Sequence, residues 1–225
     1  MNELGPILSI ETSESICGAC VYFDDKKYFE AITNHKNSHA EKLFETIDYV
    51  IKTAQIEINQ INAIAVSAGP GSFTGLRIGM SAAKGISFGS TLPIIPVPTF
   101  EALALQLSNI LDDGKEFIIA NKVNLEEIYY AKFQIKTNNY IFADKLRIVD
   151  FPEFRKLSDG LSVFGNINQE NNLEMNELKK NIASPAPVYV AKWAKLFGSD
   201  SMTFNYDLLE PNYLKNFIIK ERKND

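Results

Sequence analysis

The residue types that could serve phosphate chemistry are gathered in one run, Ala68-Gly69-Pro70-Gly71-Ser72-Phe73-Thr74-Gly75-Leu76-Arg77-Ile78-Gly79. It follows the short apolar stretch Ala63–Ala68 and precedes a helical pattern. A glycine-rich turn in that position offers backbone N–H groups and a helix N-terminus to an anion. The details of a nucleotide loop are missing, however. No Gly-Lys-Ser/Thr closes the run, as a Walker A loop requires. Gly69 and Gly71 begin a G-x-G-x-x-G pattern, but Thr74 stands at its third glycine position.

The helix expected over about Gly75 to Phe88 has its own message. Gly75, Gly79, Ala83 and Ser87 fall four apart and form a stripe of small residues on one face. A helical glycine costs about 1 kcal/mol relative to alanine, so two of them imply that another backbone comes close. That backbone belongs either to the chain's own sheet or to another subunit, and the spacing leaves both open.

Other candidate chemistry is thin. His35 and His39 have an i, i+4 spacing that suits a metal on a helix, but Ser38 reads as an N-cap, which leaves His35 outside the helix. No His-Glu-x-x-His follows, so both histidines read as surface residues. Cys17-Gly18-Ala19-Cys20 has the form of a redox pair. It sits in a strand pattern, where an offset of three sends the two side chains to opposite faces, so both read as small buried hydrophobes. Gly71-Ser72-Phe73 lacks the Gly-x-Ser-x-Gly spacing of a nucleophile elbow. The hairpin Ile10-Glu11-Thr12-Ser13-Glu14-Ser15 is similar to the Asp-x-Gly-Thr hairpin of actin-like and sugar-kinase ATPases. Glu11 replaces the acid and Ser13 stands where close approach to phosphate favours glycine.

The elements that must position these residues follow from periodicity. Ile7–Glu11, Ile16–Phe23 and Tyr28–Ile32 read as a three-strand meander turning at Asp24-Asp25-Lys26-Lys27. Ser38-His39-Ala40-Glu41 is a capping box, and Leu43, Ile47, Val50, Ile51 and Ala54 give its helix one apolar face. Strand Ala63–Ala68, the glycine helix, strand Ile94–Val97 and a helix from about Thr99 carrying Leu103, Leu107 and Leu111 complete a βββαβαβα order. Strands then alternate with helices, which predicts an α/β fold with a mixed sheet flanked by helices. The turn Asp112-Asp113-Gly114 divides the chain into expected lobes 1–112 and 113–225. In the second, strands are expected at Phe117–Ala120, Glu127–Ile135, Tyr140–Ile148 and Leu161–Phe164. Helices are expected near Phe151–Leu157, Glu170–Lys180 and Val188–Phe197. A meander followed by helices thus occurs twice, the second time in degenerate form.

At 225 residues the chain can bury a substantial core, and it carries 45% hydrophobic and 23% charged residues with a net charge of −5. An independent nucleic-acid binder normally shows a basic footprint. The one basic cluster apparent in sequence, Lys215, Lys220, Arg222 and Lys223, reads as a solvated tail. No stretch of eighteen apolar residues or signal-peptide pattern is present, so a cytoplasmic protein with no membrane partner is expected.

Three segments together resemble the TsaB (YeaZ) family: Ile7-Leu8-Ser9-Ile10-Glu11-Thr12-Ser13, Ser38-His39-Ala40-Glu41-Lys42-Leu43 and Gly69–Gly79. Pro211-Asn212-Tyr213-Leu214-Lys215 is similar to that family's Pro-x-Tyr-Leu-Arg ending. The likeness is strong over about 7–105 and thin over about 105–205. It implies an actin-like (ASKHA, ribonuclease H-like) fold and a non-catalytic subunit without cofactor or metal. The implied function lies in forming threonylcarbamoyladenosine in tRNAs reading ANN codons. The implied partners are the catalytic paralogue TsaD and, through the complex, the P-loop ATPase TsaE, with TsaC supplying substrate. tRNA is met only through the complex. Apolar helices that await a partner can self-associate, so monomer and homodimer both stay open for the isolated chain. The first two helices would form the seam with the paralogue, giving Leu43, Ile47, Val50, Gly75, Leu76, Gly79, Met80, Ala83 and Ser87 as partner-binding residues. Thr12, Ser13, Gly69, Gly71 and Ser72 would be the residual nucleotide site.

The alternatives are a nucleotide hydrolase of the same fold and the metal-dependent transferase itself. The transferase carries a His-x-x-x-His pair, and Thr99 and Leu103 occupy those two positions here. The family often has an Asp-Ala-Arg near the strand where this chain reads Ala120-Asn121-Lys122-Val123-Asn124.

Overall fold

The computed structural model describes residues 4–34, 39–169 and 182–214. The expected capping residue Ser38, His35, the expected helix over Glu170–Lys180 and the basic tail lie outside them.

Strands β1 (Ile7–Glu11), β2 (Cys17–Asp24) and β3 (Lys27–Thr33) form the antiparallel meander. Helix α1 (His39–Ala54) follows, then β4 (Ala63–Gly69), α2 (Phe73–Ser90) and β5 (Ile94–Pro98). β4 and β5 are added in parallel, giving the order β3-β2-β1-β4-β5. A parallel crossover needs a helix to bring the chain back, and α1 and α2 supply the two returns. Both lie on one face, over Leu8, Ile10, Ala19, Val21, Ile64 and Val66. Period-2 alternation sends Ile7, Cys20, Tyr22, Ala63, Ala65 and Val97 to the other face.

Helix α3 (Thr99–Leu107) leads to the second sheet, which consists of β6 (Glu116–Lys122), β7 (Glu127–Ile135), β8 (Tyr140–Asp150) and β9 (Ser162–Phe164). Its order is β8-β7-β6-β9, with β9 parallel to β6. Helix α4 (Phe151–Leu157) covers its outer face through Phe154. Helix α5 (Pro187–Phe197) comes from the C-terminal half yet packs on the first sheet, with Val188, Val190, Ala191, Trp193 and Ala194 against Ile7, Ala65 and Val97.

Helices α3 and α5 therefore fill the space between the two sheets. α3 is apolar on two sides: Ala102 and Leu105 face the first sheet and α5, while Phe100, Leu103, Ala104 and Leu107 join Phe117, Ile119 and Phe133 of the second. A polar chain crosses the same layer. Trp193 Nε1 donates to the Tyr140 hydroxyl at 2.8 Å, and that hydroxyl donates to Glu101 at 2.7 Å. Among the described residues no helix is long and apolar enough to cross a membrane.

The α/β class, the mixed sheets and the helical flanks are as expected, and β7 and α4 have the expected limits. Helix α2 is longer than expected by about four residues, and α3 is shorter, ending at Leu107 while Leu111 lies in the following turn. Because α3 joins both halves of the core, Leu103→Ala should lower the unfolding free energy by about 2–5 kcal/mol in urea titration at an unchanged native fold.

Candidate functional site

The site is built where the hairpin after β1 meets the loop before α2. At the end of β4, Gly69 adopts φ +110°, a left-handed conformation that favours glycine. The chain then turns into α2, whose N-cap is Ser72; its side chain accepts from Gly75 N–H at 3.3 Å. Gly75 lies directly on the hairpin: a Cβ there would stand 2.0 Å from the backbone oxygen of Thr12, and one on Gly79 2.3 Å from Thr12 Oγ1. The Thr12 hydroxyl donates to the Gly75 carbonyl at 2.8 Å, locking hairpin to helix. The backbone that the small-residue stripe accommodates is therefore the chain's own.

The loop's donors are largely spent inside the chain. Ser72 N–H donates to the Ser13 carbonyl at 2.6 Å, and Gly69 N–H to Thr99 Oγ1 at 3.1 Å. A phosphate cradle needs such groups free. The C-terminal segment lies across the loop as a strap. Asn212 N–H donates to the Ala68 carbonyl at 2.7 Å, and the Asn212 carbonyl lies over Gly69. Tyr213 packs its ring 5.1 Å from that of Phe73, and Arg77 lies 3.8 Å over Phe73 while its Nε donates to the Tyr213 hydroxyl at 3.2 Å.

Two carboxyl groups occupy the floor. Glu11 is fully buried and accepts from Ser13 N–H at 2.6 Å, from the Ser13 hydroxyl at 2.5 Å and from the Ser67 hydroxyl. Burial pushes its pKa up to about 7, against the opposing pull of the Ser13 and Ser67 donors. Glu14, at the hairpin's far side, reaches the second sheet: its oxygens accept from the amides of Asn121 at 2.8 Å and Asn166 at 2.9 Å. Burial also raises Glu14 to about 7, with the nearby Glu11 charge adding to it. Asn121 and Asn166 are turned so that each amide nitrogen faces Glu14, because their oxygens accept backbone N–H groups of Asn166 and Lys122. Asn121 is thus matched to Glu14, since an aspartate at this position would set carboxylate against carboxylate.

Beside Glu14 is a cavity of about 170 Å³ bordered by Gly71, Ser72, Lys122, Tyr129, Asn166 and Tyr213. Of the residues considered for a nucleotide, only Gly71 and Ser72 border it. Thr12 and Ser13 are buried in the hairpin contacts, and Gly69 lies under the strap. The two positions that correspond to a metal pair have other duties, Thr99 accepting from Gly69 and Leu103 in the core. Among the described residues no cluster of three or more His, Cys, Asp or Glu could hold a metal ion. Cys17 and Cys20 are buried on β2 and form no disulfide, and burial raises both thiols, Cys17 to about 11.

The residues assigned from sequence to a partner seam need correction. Leu43, Ile47, Val50, Gly75, Leu76, Gly79, Met80, Ala83 and Ser87 are all buried within the chain, because the apolar stripe of α1 and the small stripe of α2 face their own sheet. The outward side of the same helices carries Phe44, Tyr49, Phe73 and Phe88, exposed by 57, 60, 39 and 81%. Phe44, Phe73, Thr74, Arg77, Ile78 and Ser81 border a groove of about 500 Å³ there. Phe44 and Tyr49 interrupt the polar side of α1, the signal that would have pointed outward. No spacing announces the Glu14–Asn121 contact, which spans 107 positions.

A family model described as TsaD, tRNA N6-adenosine threonylcarbamoyltransferase, matches residues 30–132. The chain is 25% identical over 94% of its length to a tRNA threonylcarbamoyladenosine biosynthesis protein TsaB of Haemophilus influenzae, and covers 94% of that protein. The TsaB of Escherichia coli is also 25% identical over 94% of this chain and is covered over 95%. A solved structure described as an uncharacterized protein with similarity to peptidase YeaZ from Pseudomonas aeruginosa superposes with a TM-score of 0.76 at 18% identity. That match covers 94% of this chain and all of the other. Over nearly its whole length the chain is similar to TsaB (YeaZ) proteins. Its fold is the actin-like ASKHA type, with two mixed sheets and flanking helices. Within this fold, the glycine run is the joint between α2 and the hairpin.

Two outcomes are expected. Gly75→Ala should destabilise the chain by more than about 2 kcal/mol, whereas Gly85→Ala, with nothing within 4 Å of its Cβ, should stabilise it by about 0.5–1 kcal/mol in thermal and urea unfolding. Glu11 has a folded-state pKa above its unfolded value of 4.5, so its stabilisation is present below pH 4.5 and lost as pH rises through about 7. The loss is on the order of 3 kcal/mol. Glu11→Gln should flatten the unfolding free energy over that window, and an unchanged pH profile would refute the assignment.

Proposed function

We propose that this chain acts in tRNA threonylcarbamoyladenosine biosynthesis as a non-catalytic subunit that binds and stabilises the threonylcarbamoyltransferase TsaD. The observation that carries it is the outward side of α1 and α2, where exposed Phe44, Phe73 and Phe88 accompany an apolar groove. An exposed apolar groove bordered by aromatic side chains marks an interaction site. The names of the Haemophilus and Escherichia relatives supply the pathway. The match of residues 30–132 to the transferase family makes a paralogous pairing of like helices a natural geometry.

A catalytic role finds little support in the cleft. Its cavity of about 170 Å³ is below the roughly 300–1,000 Å³ of small-molecule sites. The loop N–H groups of Gly69 and Ser72 are already bonded. The lobes divide in this proposal at 112–113, with α5 lent by the second to the first. The protein is cytoplasmic, meets TsaE and tRNA through the complex, and pairs with itself through the same helix faces when alone.

Phe44→Glu with Ser81→Arg should weaken co-purification with the transferase at least tenfold, about 1.4 kcal/mol, at unchanged circular dichroism. Changes at Gly79 or Ala83 would not serve, since a charge there enters the core. An undiminished complex would overturn the interface. Tight binding and turnover of ATP with magnesium by the isolated chain, followed by calorimetry, would overturn the non-catalytic assignment.

A further inference from the structure

A concavity of about 750 Å³ is bordered by none of the segments that carry the family resemblance. It lies among the β2–β3 turn, the C-terminal ends of α3 and α5, and the β7–β8 turn. Its size is that of a ligand site. Lys26 and Lys27 enter from the β2–β3 turn, Lys192 and Lys195 from α5, and Asn109 and Asn138 add side-chain amides.

The lysine charge exceeds what its neighbours neutralise. Of the two acids lining the cavity, Asp25 pairs with Lys192 at 2.9 Å and accepts from the Tyr22 hydroxyl at 2.7 Å. Asp24 accepts the backbone N–H groups of Lys26 and Lys27 at 2.8 and 3.0 Å, closing the turn. Lys26, Lys27 and Lys195 have no ion pair among the described residues. Neutral groups hold two of them in place: Lys195 donates to the Phe23 carbonyl at 2.9 Å, and Lys27 sits 4.1 Å over the Phe23 ring. The ammonium groups are thus positioned with their charge unspent. The carbonyl end of α5 accounts for a cation at Lys195, but not for the two lysines of the turn. The field is felt at Asp25, whose carboxyl is held below the usual range by the Tyr22 hydroxyl first, then by Lys192, with Lys195 contributing. In a chain of net charge −5, four lysines against two aspartates in one concavity is a local reversal of sign.

We propose that this lysine-lined concavity binds the phosphodiester backbone of the tRNA substrate, so that the subunit contributes its own RNA contact to the assembled complex. The assignment rests on the proposed role in tRNA threonylcarbamoyladenosine formation. That role makes RNA, and not a free phosphorylated metabolite, the polyanion at hand. Contacts of this kind add affinity without base preference and release counterions.

The test is the binding of a fluorescently labelled tRNA transcript to the complex of the full chain with its transferase, followed by anisotropy across a salt series. Lys26→Glu, Lys27→Glu and Lys195→Glu together should lower affinity roughly tenfold or more at low salt and make the log K against log salt slope shallower by about 2. The pair Lys26→Glu and Lys27→Glu, which leaves α5 untouched, should give a smaller change in the same direction. An intact complex with unchanged affinity and slope would overturn the RNA site while leaving the subunit assignment standing. Failure of the wild-type chain to form the complex would instead remove the assignment beneath it, and the RNA site with it. Unchanged tRNA binding alongside lysine-dependent binding of ATP or inorganic phosphate would overturn the RNA site in favour of a small phosphorylated ligand.

Discussion

The arrangement depends on the absence of clearance between α2 and the hairpin that follows β1. Helix and hairpin touch backbone to backbone at Gly75 and Thr12, a separation that one methyl group would abolish. That contact fixes where the glycine loop lies and uses the loop's donors. It also sets the first turn of α2, from which Phe73 and Arg77 project. The surface on the far side of α2 is therefore positioned by the same contact that closes the cleft. In a protein whose net stability is only about 5–15 kcal/mol, an interaction that admits no substitution is an anchor for everything attached to it.

Much of the architecture was legible from side-chain period alone. Alternation in Ile7–Glu11 and Ala63–Gly69, and the three-and-four spacing of Leu43, Ile47 and Val50, report which residues face a core. Period cannot name the neighbour. The stripe Gly75, Gly79, Ala83 and Ser87 records that something approaches closely, and nothing in its spacing tells a subunit from the hairpin sixty residues earlier. The same limit hid α5: its apolar face reads as core, but not as the core of the other half. The contact of Glu14 with Asn121 and Asn166, and the return of Asn212 to Ala68, join residues more than a hundred positions apart. They depend on the whole fold, and no local pattern encodes them.

The cleft keeps the outline of a phosphate-handling site while its groups are turned inward. An acid remains at the end of β1, but Glu11 is sealed among serine hydroxyls. The loop remains glycine-rich, but its N–H groups face carbonyl and hydroxyl oxygens of the same chain. Glu14 has become a tie between the two sheets, received by two amides whose orientation is set by backbone donors. Groups that in an open cleft would be available to a ligand here hold the hairpin to the second sheet.

The placement of α5 also sets a timetable for synthesis. The first five strands leave the ribosome long before residues 187–197, yet much of one face of their sheet, including Ile7, Ala65, Ile95 and Val97, is covered by that late helix. The strap at Asn212 comes later still. Until then the nascent N-terminal half carries an uncovered apolar sheet, the kind of surface that chaperones hold and that aggregates when it meets its own kind. The two sheets are formed by different stretches of the chain, but the first is not fully covered until residues 187–197 have been made.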